Sequence, residues 1–88
     1  MSLTGGSRLR IKIKYYASFK EFTGKEEEQI EVDDHMSLSE IRDYVKGLYT
    51  KIGRQEQVLV ALNGSFKPLE TKVEDGDILS FFPPVSGG

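Results

Sequence analysis

The sequence predicts one small α+β domain with about five β-strands and one main helix. Residues 8–16 alternate apolar and polar side chains, which is the pattern of a half-buried strand. Residues 37–52 carry apolar side chains at helical spacing behind a capping motif. Residues 57–62 are apolar almost without interruption, as expected for a central strand. With 88 residues, the chain has room for a single small core.

The first predicted strand has two distinct faces. Its apolar face comprises Leu9, Ile11, Ile13 and Tyr15. The opposite face carries basic side chains, which is ordinary for the solvated side of a strand and is not evidence of a nucleic-acid site. Tyr16 interrupts that pattern, because it puts an aromatic ring on the charged face. We therefore expect Tyr16 to lie in a contact surface.

The remaining strands are predicted from alternation and turn residues. Residues 26–32 alternate and should pair with the first strand as a hairpin, with their glutamates in solvent. The dipeptide Asn63-Gly64 is a tight-turn signal that leads into a fourth strand at residues 65–67, which ends at Pro68. The last strand covers residues 78–82. Its two faces comprise Leu79 with Phe81, and Ile78 and Ser80 with Phe82.

The main helix has the strongest local signal in the sequence. Ser37 and Glu40 have the spacing of a capping box, in which each side chain accepts a hydrogen bond from the other residue's backbone N–H. Apolar residues then recur at helical spacing through Ile52, and Gly53 supplies a stop. The sequence therefore predicts one continuous helix from the Ser37 cap to Ile52.

Composition argues against several classes of function. The 12 basic and 14 acidic side chains give a net charge of −2, unlike the basic excess of a general nucleic-acid binder. The sequence has no cysteine, which excludes a disulfide, a thiolate metal site and a catalytic thiol. No apolar run reaches the roughly 20 residues of a membrane span. We expect a cytoplasmic protein with no nucleic-acid partner, membrane contact or metal site, and with residues 1–7 as a disordered leader.

The last six residues, 83–88, have the composition of an extended arm. Pro83 and Pro84 fix φ near −65° and favour a polyproline-like path, so at about 3.1 Å per residue the arm could reach roughly 19 Å. Gly87 and Gly88 lack a Cβ atom and can pass through a narrow channel. The group that reaches the end of such a channel is the α-carboxylate of Gly88.

A carboxylate is a poor electrophile, so acyl chemistry at Gly88 first needs activation. An acyl-adenylate made by a separate ATP-using enzyme would supply it, and sulfide or an amine could then displace AMP. The chain has no nucleophile–base pair, phosphate-binding glycine loop or metal-ligand spacing of its own. We therefore expect no permanently bound cofactor, with ATP used by the activating partner. The alternative is that the Gly-Gly is only a frayed end.

The run Asp75–Gly88, in which Phe-Phe-Pro-Pro precedes Val-Ser-Gly-Gly, resembles the C-terminus of the MoaD/ThiS family of ubiquitin-like sulfur carriers. The Phe-Phe-Pro-Pro segment favours the MoaD branch, the small subunits of molybdopterin synthase. The resemblance implies a ubiquitin-like β-grasp fold for residues 8–82, with a mixed sheet of about five strands wrapped on one main helix. Residues 83–88 would then form a flexible, extended Gly-Gly tail.

The resemblance also implies a function and partners. Gly88 would be adenylated by an E1-like, MoeB-like adenylyltransferase and converted to a thiocarboxylate. The tail residues that bind inside a larger, MoaE-like subunit of molybdopterin synthase would be Pro83, Pro84, Val85, Ser86 and Gly87. There the sulfur would pass to cyclic pyranopterin monophosphate during molybdenum or tungsten cofactor biosynthesis.

Three aromatic residues match positions that contact the large subunit in the family, namely Tyr16, Phe66 and Phe82. The alternative is that these rings pack in the small core. The function has alternatives too, because the same fold and tail serve ubiquitin-like protein modifiers, which form isopeptide bonds with lysines, and sulfur carriers for tRNA thiolation. A plain interaction module with an incidental Gly-Gly is a further possibility. The Phe-Phe-Pro-Pro-Val segment favours the molybdopterin synthase subunit.

Overall fold

The computed structural model describes residues 8–84, which form a mixed four-stranded sheet with one main helix. The elements in chain order are β1 (Arg8–Tyr15), α1 (Ser18–Thr23), β2 (Glu27–Asp33), α2 (Leu38–Leu48), α3 (Thr50–Gly53), β3 (Leu59–Leu62) and β4 (Ile78–Phe82). The strand order is β2-β1-β4-β3, with β1 and β4 parallel at the centre and both outer pairs antiparallel. The predicted leader, residues 1–7, and tail residues 85–88 lie outside the described residues.

The core lies between one face of the sheet and the apolar side of α2. Alternate strand residues and one side of the helix enter it, which is the burial pattern that the two periodicities predict. The buried residues of the two central strands are Ile11, Ile13, Tyr15, Leu79 and Phe81, and those of α2 are Leu38, Ile41 and Val45. The predicted inner faces of the first and last strands are therefore confirmed, except that Leu9 is only half-buried.

The predicted fourth strand at residues 65–67 is wrong, so the sheet has four strands instead of about five. Ser65 forms only an isolated bridge with Leu62 after the hairpin turn. The chain then turns away from β3, because Pro68 has no N–H to pair and the segment beyond it bonds to the start of α2. Ser39 N–H donates to the carbonyl of Leu69, and Leu38 N–H donates to that of Thr71, each at 2.9 Å.

The predicted capping box is confirmed, but the predicted single helix is two. Ser37 N–H donates to Glu40 Oε1 at 2.9 Å, and Glu40 N–H donates to Ser37 Oγ at 3.3 Å. The helix breaks at Tyr49, whose φ of −123° and ψ of 100° are extended, and α3 then brings Ile52 into the core. Gly53 ends α3 where a Cβ atom would lie 2.7 Å from the carbonyl oxygen of Lys46. Within residues 8–84, no helix is long and apolar enough to cross a membrane.

At the break between α2 and α3, the side chain of Tyr49 joins a polar network at the edge of the core. The hydroxyls of Tyr15 and Tyr49 both donate to Glu28 Oε2 at 2.6 Å, and Lys25 Nζ lies 3.2 Å from Glu28 Oε1. The prediction that the glutamates of the second strand all face solvent is therefore wrong for Glu28, which pairs with Ile13 across the ladder. Alternation alone could not reveal that two distant hydroxyls compensate its partial burial.

The network shifts the pKa values of its members. Burial would raise the pKa of Glu28, but the hydrogen bonds from Tyr15, Tyr49 and Lys25 outweigh it and hold that pKa below its ordinary value. Burial, together with the nearby carboxylate of Glu28, raises the pKa of both tyrosines. Glu28 is therefore ionised and both tyrosines are neutral at pH 7.

We predict that Ser37→Ala lowers the free energy of unfolding by about 1 kcal/mol, because it removes the side-chain acceptor for Glu40 N–H. Urea unfolding followed by circular dichroism measures the change. Ser39→Ala is the matched control, since this serine lies in the same first turn but does not cap it. Equal losses in the two variants would contradict the capping role.

We predict that Glu28→Gln lowers the free energy of unfolding at pH 7 by about 1 kcal/mol, because a neutral amide is a weaker acceptor for two hydroxyls. A lowered folded-state pKa stabilises the fold above the unfolded value of 4.5, and this stabilisation is lost as the pH falls through the folded value. The stability difference between wild type and variant should therefore narrow on acidification below about 4.5.

Urea titrations at a series of pH values measure this effect. Glu31→Gln is the control, because Glu31 is exposed on the same strand and only forms a 3.8 Å surface ion pair with Arg10. A difference for Glu28→Gln that stays constant down to pH ~3 would contradict the assigned network.

Candidate functional site

Three aromatic rings form an exposed patch at the end of the sheet where β4 finishes. Phe82 lies between Tyr16 and Phe66, with its ring centroid 5.7 Å from each of theirs. Tyr16 is 41% exposed and Phe66 is 66% exposed, whereas Phe82 is half-buried between them. All three residues that the sequence singled out therefore lie together on the surface, outside the core. We call these three rings the aromatic patch.

Strand register explains how two of these rings come together. Tyr15 of β1 and Phe81 of β4 are neighbours in the parallel ladder, and both side chains point into the core. Successive side chains on a strand point to opposite faces, so the next residues, Tyr16 and Phe82, both point outward. Tyr16 N–H donates to the carbonyl of Phe81 at 3.1 Å and continues the pairing by one residue after β1 ends.

Phe66 reaches the patch by a different route. The hairpin turn after β3 uses Asn63 and Gly64 with φ values of 49° and 87°, which suit asparagine and glycine. This turn reverses the chain so that Phe66 stands beside Phe82 on the outer surface. Leu59 of β3, the ladder partner of Phe82, lies half-buried at the edge of the patch. Sequence analysis missed Leu59, because it reads as one more apolar residue of a central strand.

The turn that follows Tyr16 is strained. Ala17 has φ 55° and ψ −133°, a left-handed conformation that favours glycine, and such a residue costs about 1–3 kcal/mol. The neighbouring hydrogen bonds keep it there, since Phe19 N–H donates to the carbonyl of Tyr16 and Lys20 N–H to that of Ala17, each at 3.0 Å. Strain of this kind is commonly kept next to binding surfaces, and Ala17 borders the aromatic patch.

The first two tail residues leave the sheet beside the patch. Pro83 is half-buried and Pro84 is exposed, and both line an apolar groove with the patch. The predicted proline stalk therefore starts at this surface. The predicted site residues Val85, Ser86, Gly87 and Gly88 lie outside the described residues.

The chemistry of this surface favours binding over catalysis. The groove is lined by Tyr16, Ala17, Leu59, Phe66, Phe82, Pro83 and Pro84, which bring one hydroxyl and no charged side chain. The groups with shifted pKa values around Glu28 do not line this groove. Among residues 8–84, no group of three histidine or acidic side chains is arranged to hold a metal ion. The surface can bury apolar area against another protein.

Sequence and structure comparisons match this chain over most of its length. The molybdopterin synthase sulfur carrier subunit of Haemophilus influenzae is 33% identical over 81 residues, which cover 89% of this chain and 99% of that protein. Small archaeal modifier protein 3 of Haloferax volcanii is 27% identical and covers 91% of this chain and 100% of its own length. Each match spans nearly the whole length of the relative.

Solved structures support the same grouping. The complex of subunits 1 and 2 of molybdopterin-converting factor from Helicobacter pylori contains a similar chain, with a TM-score of 0.61, 25% identity and coverage of 91% of this chain and 100% of that one. A ubiquitin of Caldiarchaeum subterraneum, 17% identical with a TM-score of 0.66 over 93% of this chain and 100% of its own, confirms the ubiquitin-like β-grasp fold. The sequence profile of the ThiS family matches residues 13–88, and the chain therefore belongs to the ThiS family.

Proposed function

We propose that this chain is the sulfur-carrier subunit of a molybdopterin synthase, and that it carries sulfur as a thiocarboxylate on Gly88. One observation carries the proposal: a fixed aromatic patch lies at the root of a proline stalk that leads to Gly-Gly, in a chain 33% identical to a carrier of this name over nearly its whole length. The patch binds a protein, and the stalk delivers a carboxyl group into it.

The carboxylate of Gly88 is activated before it carries sulfur. Its oxygen attacks the α-phosphorus of ATP on an E1-like, MoeB-like adenylyltransferase, which forms the acyl-adenylate and releases pyrophosphate. A sulfide equivalent then attacks the acyl carbon, AMP leaves, and the thiocarboxylate remains. The chain itself needs no resident cofactor for these steps, because the activating enzyme binds the ATP. We propose a cytoplasmic location for the chain, where ATP is available to the activating enzyme.

The loaded chain then docks on a larger, MoaE-like subunit. The Helicobacter pylori structure, a complex of subunits 1 and 2 of molybdopterin-converting factor, supports a partner of this kind. Burial of the aromatic patch positions Pro83 and Pro84 at the entrance of the partner's site, and Gly87 and Gly88 enter it. There the thiocarboxylate sulfur attacks a carbon of cyclic pyranopterin monophosphate and displaces an oxygen leaving group, which gives a thioester. Water then hydrolyses the thioester, so the sulfur stays on the pterin and the carboxylate of Gly88 is restored. The larger subunit supplies the catalytic groups.

A second candidate function is protein modification. Its support is the likeness to small archaeal modifier protein 3, which is 27% identical over 91% of this chain. In that case the activated carbonyl of Gly88 is attacked by a lysine amine of a target protein, AMP leaves, and an isopeptide bond forms. Both functions use the same activated glycine, so the species attached to Gly88 distinguishes them.

We predict that deletion of Gly88, or addition of one residue beyond it, abolishes thiocarboxylate formation and dithiolene synthesis, because both changes move the reacting carboxyl group. The measurement is mass spectrometry of the chain after incubation with activating enzyme, ATP and a sulfur donor, followed by a pterin product assay with the large subunit. An unchanged melting temperature shows that the fold is intact. A truncated chain that still supports dithiolene formation would refute the carrier function.

The same mass spectra of chain recovered from its native cells separate the two candidates. A thiocarboxylate with a large subunit held non-covalently supports sulfur transfer. Isopeptide-linked lysines from many proteins favour the modifier.

We predict that Phe82→Ala weakens binding to the large subunit by about 2 kcal/mol or more, because this ring is the centre of the aromatic patch. Calorimetric titration measures the affinity. Tyr44→Ala is the control, since Tyr44 is 47% exposed on α2, away from the patch. A melting temperature that collapses with unchanged affinity would mean that Phe82 supports the fold and not the interface.

A further inference from the structure

A second groove runs along the outer edge of β3, in the space that the predicted fourth strand would fill. On one side are the start of β3 and the residues just before it, and on the other is the chain segment that follows Ser65. Its lining comprises Arg42, Lys46, Glu56, Gln57, Val58, Leu59, Val60, Phe66, Lys67 and Leu69. The groove shares Leu59 and Phe66 with the surface around the aromatic patch. The groove and the surface around the aromatic patch are therefore continuous.

The backbone of β3 offers hydrogen bonds to this groove. Leu62 N–H donates to the carbonyl of Ser65 at 2.7 Å and Ser65 N–H donates back at 3.0 Å, so the polar groups of Leu62 point away from β4. Alternate residues of an antiparallel strand point the same way, so those of Val60 also face outward. In the described part of the chain, β3 has no strand partner on that side. Such an edge is suited to pair with an added strand.

The groove is also positively charged. It contains Arg42, Lys46 and Lys67 against a single acid, Glu56. Within residues 8–84, neither lysine forms an ion pair. Arg42 Nε is buried without a hydrogen-bond partner, and its neighbour Asp43 Oδ1 lies 3.6 Å away. The two lysines therefore remain available for carboxylates brought by a ligand, although the whole chain is net negative, and Arg42, paired with Asp43, adds to the positive charge of the groove.

We propose that this groove binds an acidic, extended segment of a protein partner, which adds as a strand beside β3. The backbone of the segment pairs with the outer edge at Val60, and its carboxylates meet Arg42, Lys46 and Lys67. Its apolar side chains contact Leu59 and Leu69. The proposal is independent of the chemistry at Gly88, because it rests on an open strand edge and its charge alone.

The test uses the full chain, labelled with ¹⁵N, and an eight-residue peptide that alternates valine with aspartate. We expect amide shifts at Val58, Val60 and Lys67 on titration. A peptide with lysine in place of aspartate should bind about tenfold more weakly or not at all, because its charges repel the groove. A third peptide is N-methylated on its backbone amides, so that neither of its edges can donate hydrogen bonds to β3. It should lose binding, because it cannot pair with β3. Equal binding of all three peptides, no binding, or shifts confined to another surface would overturn the proposal.

Charge-reversal substitutions in the groove itself provide a second test of the site. The double variant Lys46→Glu with Lys67→Glu should bind the aspartate peptide about tenfold more weakly than the wild type. The matched control is Lys20→Glu with Lys51→Glu, which changes the net charge equally on α1 and α3, outside the groove. Melting temperatures confirm that both variants fold. An equal loss of affinity in both variants would show that peptide binding depends only on the net charge of the chain, and it would overturn the proposed site.

Discussion

The parallel pairing of β1 with β4 is the constraint on which both the core and the aromatic patch depend. Tyr15 and Phe81 are neighbours in that ladder and enter the core, so Tyr16 and Phe82 must face outward. A shift by one residue in either strand would reverse its faces and bury one outer ring in place of an inner one. The hydrophobic core therefore fixes the geometry of the surface, and the partner meets a preformed patch.

A preformed patch has consequences for how a small carrier binds. Ordering each side chain at an interface costs about 0.5–1.5 kcal/mol, and these rings are already held at 5.7 Å spacing before any partner arrives. The strained turn at Ala17 directs the chain away after Tyr16 and keeps that ring at the edge of the patch. The rigid patch thus recognises the partner, and the tail that begins with the two prolines delivers the terminal carboxyl group.

Sequence patterns predicted those features that depend on neighbouring residues. Alternation assigned the faces of β1 and β4, and the spacing of Ser37 and Glu40 predicted the capping box. The sequence pattern did not reveal the break at Tyr49, where the side chain hydrogen-bonds to a carboxylate 21 residues away, on Glu28. The missing strand also involves distant residues, since residues 65–67 have suitable strand composition but the following segment bonds to α2. Alternation singled out Tyr16 as a contact residue, whereas Phe66 and Phe82 were assigned to a partner surface by family resemblance.

The missing strand also connects the two binding surfaces. If residues 65–67 had paired along β3, they would have closed its outer edge; their divergence leaves that edge open and still sets Phe66 beside Phe82. Since Phe66 lies in both surfaces, a ligand in the groove that moves this ring changes the affinity of the aromatic patch for its partner. Linkage then requires the partner to change the affinity of the groove by the same factor. Phe66, which lines both surfaces, is therefore the residue through which the two proposed binding events would be coupled.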